Sequence, residues 1–251
     1  MINSIKAEFR KLLTVRSTYI LTLLSLGFMV LLSFYAQAFS MTGGALKATL
    51  HDPNTLNNVI VNALSSLPLI FASIVAILLI THEYRYNTIM HSLTSANRRS
   101  KVLIGKIVVV STYGLILTVV LAVLAPLLAQ LGFVLHGHHL VAQNIPYSSL
   151  VWRGLFYGWT SVLAALVIGV VARSQVGAIV ALFVIPSIEA IVGIFLKAKA
   201  VYLPFTGAQN AILSHPERGS LSYAKGALFF GLYLVIAWVI AWILFLKRDA
   251  N

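Results

Sequence analysis

The 251 residues contain no cysteine, which excludes disulfides, thiolate chemistry and Cys-ligated metals. Charge is scarce as well. Asp, Glu, Lys and Arg make up 10% of the chain, where a soluble domain carries about 25%, so water is not the solvent for most of this surface. Acids are the scarcest charges: 6 Asp+Glu stand against 18 Lys+Arg, a formal net charge of +12. The alternation that marks the strands of an outer-membrane barrel is missing. So are linkers, low-complexity tracts and internal repeats. The phosphate-cradling G-x-x-x-x-G-K-[ST] is also absent: Gly105-Lys106 is followed by Ile107, and no other Gly-Lys occurs. ATP hydrolysis, if it serves this chain, takes place on another polypeptide. His82-Glu83-Tyr84-Arg85-Tyr86 begins like the zinc-binding H-E-x-x-H but lacks the second histidine.

What fills the chain instead is long uncharged runs. About 20 apolar residues cross a bilayer core of ~30 Å as a helix. Six segments fit, at about 18–40, 59–80, 103–135, 152–172, 175–196 and 225–246. They must be helices, because an open strand leaves its backbone groups unpaired in lipid. The expectation is an all-α integral membrane protein, one domain over 1–251. The basic residues sit at the ends of these runs, where they suit anionic headgroups and set orientation rather than bind nucleic acid. With the N-terminus inside, the inner segments hold Lys6, Arg10, Lys11, Arg16, Arg85, Arg98, Arg99, Lys101, Lys106, Arg173, Lys247 and Arg248, which is 12 of the 18. Both termini are therefore expected in the cytoplasm, with the chain multi-pass in the inner (plasma) membrane. Ala36-Gln37-Ala38 looks like a signal-peptidase site, but the preceding run exceeds the ~7–15 apolar residues of a signal peptide. The first span is expected to stay.

Two segments outside the spans are patterned. In residues 1–17, Ile2, Ile5, Phe9, Leu12 and Leu13 fall on one side of a helix, with Lys6, Glu8, Arg10 and Lys11 elsewhere. Such a helix lies in the membrane interface, apolar face down. After the second span, Tyr86, Ile89, Met90 and Leu93 follow the i, i+3, i+4, i+7 spacing of a helix that lays one face into a groove. Arg85, His91, Arg98 and Arg99 surround that stripe. Spacing alone leaves open whether it meets a partner protein, or lipid and the chain's own helices. The Arg173-Ser174-Gln175 turn is too short to make a second docking element.

Glu189 is the one acid inside an apparent span, three residues after Pro186. A carboxylate in lipid costs about 2.5–3.5 kcal/mol on insertion scales. It is expected to face a translocation path, or to sit near the outer headgroups close to Lys197. His136, His138 and His139 cluster after the third span without a nearby carboxylate or thiol, as a solvated loop would. Small residues such as Gly158, Gly169 and Gly177 allow helices to approach closely.

The basic N-terminal helix, the six spans, Glu83-Tyr84-Arg85-Tyr86-Asn87-Thr88, Leu93 and Arg98-Arg99 together resemble the membrane subunit of ABC-2 type transporters over nearly the whole chain. That family has a similar E-x-x-x-G-T followed by L-x-x-P-x-x-R-R in the same loop. Here Asn87 stands in place of the Gly, and no Pro precedes Arg98-Arg99. The resemblance implies that residues 83–99 carry a coupling helix, with Glu83, Tyr84, Arg85, Tyr86, Ile89, Met90, Leu93, Arg98 and Arg99 docking on a nucleotide-binding ATPase subunit. It implies that ATP and magnesium bind that partner and that this chain holds no cofactor. It further implies an exporter built from two copies, or from one copy and a sister permease. The stretch 197–225, which contains Pro204, would form an outer gate. Two other classes stay open: a channel or secondary transporter, and a non-transporting membrane scaffold. A neighbouring reading frame for an ATPase with the phosphate-cradling loop discriminates them.

Overall fold

A computed structural model describes residues 2–35, 43–65, 67–86, 88, 99–142, 146–213 and 221–247. Helix α1 spans Ile2–Thr14, and α2 spans Arg16–Val30 and runs on through a π-helical turn, Leu31–Tyr35. Then come α3 (Gly43–His51), α4 (Thr55–Ser65), α5 (Leu67–Arg85), α6 (Arg99–Leu135), α7 (Tyr147–Ala172) and α8 (Gln175–Leu196). A 3-10 helix (Lys197–Tyr202), a π-helical turn (Pro204–Gln209) and the short α9 (Asn210–Leu213) lead towards α10 (Tyr223–Lys247). No strand occurs among the described residues. Among the described residues, six helical stretches are long and apolar enough to cross a membrane: 16–35, 55–85, 100–135, 147–172, 175–202 and 223–247. The protein is an all-α membrane protein, as the uncharged runs require.

The core is formed by α5, α6 and α7, and α2, α8 and α10 lie around it. Helices α6 and α7 touch because Gly158 has no side chain: a Cβ there would run into Thr118. Close approach through small residues is what holds helices together where lipid gives no hydrophobic drive.

The helices add three details to the sequence expectation. The helix of the second span runs past residue 80, where the uncharged run ends. No Gly or Pro interrupts Thr81–Arg85, so α5 continues and carries Glu83 in its last turn. The end is then closed by N–H groups of Tyr86 and Thr88 donating to the carbonyls of His82 (3.0 Å) and Glu83 (2.9 Å). Arg153 lies within α7, its guanidinium 5.0 Å from the Tyr223 ring centroid. Finally, part of the apolar face of α1 packs on the chain's own spans. Leu12 is buried with Val75 of α5 and Val109 of α6, and Ile5 and Phe9 pack against the same cluster. Leu13 stays exposed, as do Lys6 and Arg10.

Candidate functional site

The end of the bundle where α1, α5 and α6 meet holds a closed ring of four alternating charges. Two come from α1. Lys11 Nζ lies 2.6 Å from Glu8 Oε1 and also pairs with Glu83 Oε1. Lys106 of α6 completes the circle, 2.8 Å from Glu8 Oε2 and 3.0 Å from Glu83 Oε1. Its ammonium also donates to the carbonyl of Leu79 at 3.0 Å. An ammonium has three donors, and here each has a separate acceptor. Lys106 is 0% exposed, Glu8 3% and Glu83 5%. Taking such ions out of water costs several kcal/mol each unless they are paired and hydrogen-bonded, and the ring answers that demand. Burial works against the charge of Lys11, but hydrogen bonds and attraction from Glu8 and Glu83 outweigh it and hold its ammonium above the usual lysine range.

Sequence reasoning placed Glu8 off the apolar face and counted Lys106 among the inner-face charges. Both are buried partners. The available signals were the rarity of acids, with two of the 6 in this ring, and the position of Lys106 about two turns inside α6.

The residues expected to dock a partner separate into two groups. Glu83 is drawn into the ring. Tyr84 is half-buried against the core, with the Arg173 guanidinium 5.4 Å from its ring centroid. Arg85 and Tyr86 are exposed, and Arg85 Nη1 donates to Gln175 Oε1 at 3.0 Å. The head of α8 is thereby tied to the end of α5. Arg173 itself takes φ 53° and ends α7, and Ser174 caps α8 by accepting from Gly177 N. Arg99 opens α6. Ile89, Met90, Leu93 and Arg98 lie outside the described residues.

At the opposite end Glu189 is 8% exposed. Its Oε1 accepts from the N–H groups of Phe205 (2.7 Å) and Thr206 (2.7 Å) and from Thr206 Oγ1 (2.9 Å). Pro204 opens the π-helical turn, where its missing N–H is no loss. The N-cap residue is Leu203, which has no acceptor side chain. Glu189 supplies from another helix what a capping side chain supplies locally, and its negative charge suits the positive end of the turn. The turn and α9 fold back against α7 and α10, burying Ala208, Gln209, Ala211, Ile212 and Leu213. His136 Nδ1 sits 3.0 Å from the Gly132 carbonyl, and among the described residues no group of three His or acids is placed to hold a metal.

Residues 4–194 match the family model described as ABC-2 family transporter protein. Among curated proteins, none matches the chain.

Proposed function

This chain belongs to the ABC-2 family of transporter proteins, as a membrane permease of an ATP-binding-cassette system, and from that premise we propose that its charged end receives the stroke of a separate nucleotide-binding ATPase subunit. The observation that carries this reading is the continuity of α5. It runs unbroken from among the buried spans to Arg85, at the head of the segment 86–99, and its last turn is clamped to α1 and α6 by the charge ring. A push on Ile89, Met90 and Leu93 would therefore reach α1, α5 and α6 together. Through the Arg85–Gln175 bond and the Arg173–Tyr84 contact it would reach α7 and α8 as well.

In this reading the ring and both termini face the cytoplasm across the inner (plasma) membrane. ATP and magnesium are bound by the partner. Two copies of this chain, or one copy and a sister permease, enclose the path. Cargo moves outward, and the Pro204–Gln209 turn capped by Glu189 forms part of the outer gate.

The test is purification of the tagged full chain from mild detergent, with mass spectrometry of the polypeptides that accompany it. An ATPase bearing the phosphate-cradling loop should be recovered with the native chain. It should be lost with Ile89→Asp and with Leu93→Asp, while each variant still extracts as a folded protein. Native chain that carries no such ATPase would return the weight to a channel, secondary transporter or scaffold.

A further inference from the structure

Two neighbouring cavities in the chain have linings that differ in kind. The first holds about 320 Å³ between α5, α7, α8 and the Pro204–Gln209 turn. Its polar lining is Ser73, Tyr157, Ser161, Thr206, Gln209 and Asn210. Gln209, 6% exposed, donates to Ser161 Oγ, which donates on to the Tyr157 carbonyl at 2.7 Å. The hydroxyls of Ser73 and Tyr157 are different. These residues are 4% and 6% exposed, and neither hydroxyl has a hydrogen-bond partner among the described residues. Neither oxygen is among the fully buried unpaired atoms, so both open into the hollow, where the polar head of a guest can take up their free hydrogen-bonding capacity.

The second cavity, about 410 Å³, lies between α7, α8 and α10. It shares Ala164, Ile168 and Phe205 with the first. Beyond these its lining is aliphatic apart from Phe230 and Tyr233, whose hydroxyl is already committed to the Tyr202 carbonyl at 3.0 Å. It offers no free hydrogen-bonding side chain and suits only hydrocarbon. No charged residue lines either hollow. An ionised group placed there would have no counter-charge, at a cost far above that of a neutral polar one.

We propose that these neighbouring hollows together form a binding site for an uncharged amphiphile, its hydrogen-bonding head between Ser73, Tyr157 and Gln209 and its hydrocarbon arm between α7, α8 and α10. Each hollow falls in the size range of small-molecule sites, about 300–1,000 Å³, with the few convergent polar groups typical of them. The site lies within one chain, so it stands whether or not an ATPase docks. Only the identification of the amphiphile as cargo rests on the transport reading.

The experiment uses purified full chain in phosphatidylcholine nanodiscs, with no ATP and no ATPase. Diacylglycerol and phosphatidylglycerol bearing the same photoreactive acyl chain serve as the uncharged and anionic probes. Diacylglycerol should label residues 164–168, 204–209 and 234–237, and unlabelled diacylglycerol should compete. The paired substitution Ser73→Ala with Tyr157→Phe barely changes the volume and should lower that labelling about tenfold, the loss of two ordinary hydrogen bonds. Ile168→Trp, which fills both hollows, should abolish it. The proposal is overturned if phosphatidylglycerol labels the same residues equally, if label falls only on the outer faces of α2 and α10, or if the paired substitution leaves labelling unchanged in chain that keeps its native unfolding temperature.

Discussion

A lysine wholly removed from water keeps its charge only in company, and Lys106 has Glu8, Glu83 and the Leu79 carbonyl for company. Lys106→Met would leave two buried carboxylates sharing the half-buried Lys11, and breaking a buried pair in this way costs about 3–5 kcal/mol. Unfolding followed in detergent should show that loss. Replacing Glu8 and Glu83 by Gln and both lysines by Met should recover much of it, because a neutral ring has no orphaned charge. If the fourfold variant is no more stable than Lys106→Met alone, the four charges do not act as a unit. This ring was only faintly legible in the sequence. Helical periodicity sorts residues by face, and it put Glu8 with the polar residues. It carries no information that a partner lies 98 positions away.

Among the elements, the six spans were legible because lipid forces long apolar runs into helices. The fold of the stretch between α8 and α10 was not. The turn at 204–209 depends on a carboxylate 16 and 17 residues earlier and on Gly207, where a Cβ would come within 2.5 Å of the Ala200 and Val201 carbonyl oxygens. No local propensity reports either. Glu189→Gln retains an acceptor oxygen and should change little. Glu189→Leu should orphan the amides of Phe205 and Thr206, at about 1–3 kcal/mol for each buried donor left unpaired. Hydrogen exchange should then speed at those amides while the spans keep their protection. Unchanged exchange at 205 and 206 would mean that Glu189 is not the cap.

For the molecule as a whole, α8 is the least embedded span. Only Ala178 and Glu189 are buried along it, and Val176, Val180, Val184 and Ile191 form an exposed stripe. If two copies enclose the path, that stripe is where they are expected to meet. In a two-fold pair a residue near the axis faces its own copy. The cysteine-free sequence makes the test clean: single cysteines at 180, 184 or 191 should form disulfide-linked dimers in membranes, and one at Leu228 or Val235 of α10 should not. Dimers linked through α10 instead would move the interface, and no homotypic link at any position would favour a sister permease.

The ring also bears on how the protein is made. Glu8 and Lys106 are separated by 98 residues, so α1 cannot take its final seat until the third span has emerged. At roughly 5–20 residues per second of synthesis that interval is on the order of 5–20 s. For that time the helix has a basic face, an apolar face and no protein to cover it. The bilayer surface is the one resting place that suits both. The apolar side of α1, which the finished fold packs in part against α5 and α6, is thus expected to rest on lipid while the chain is still being made.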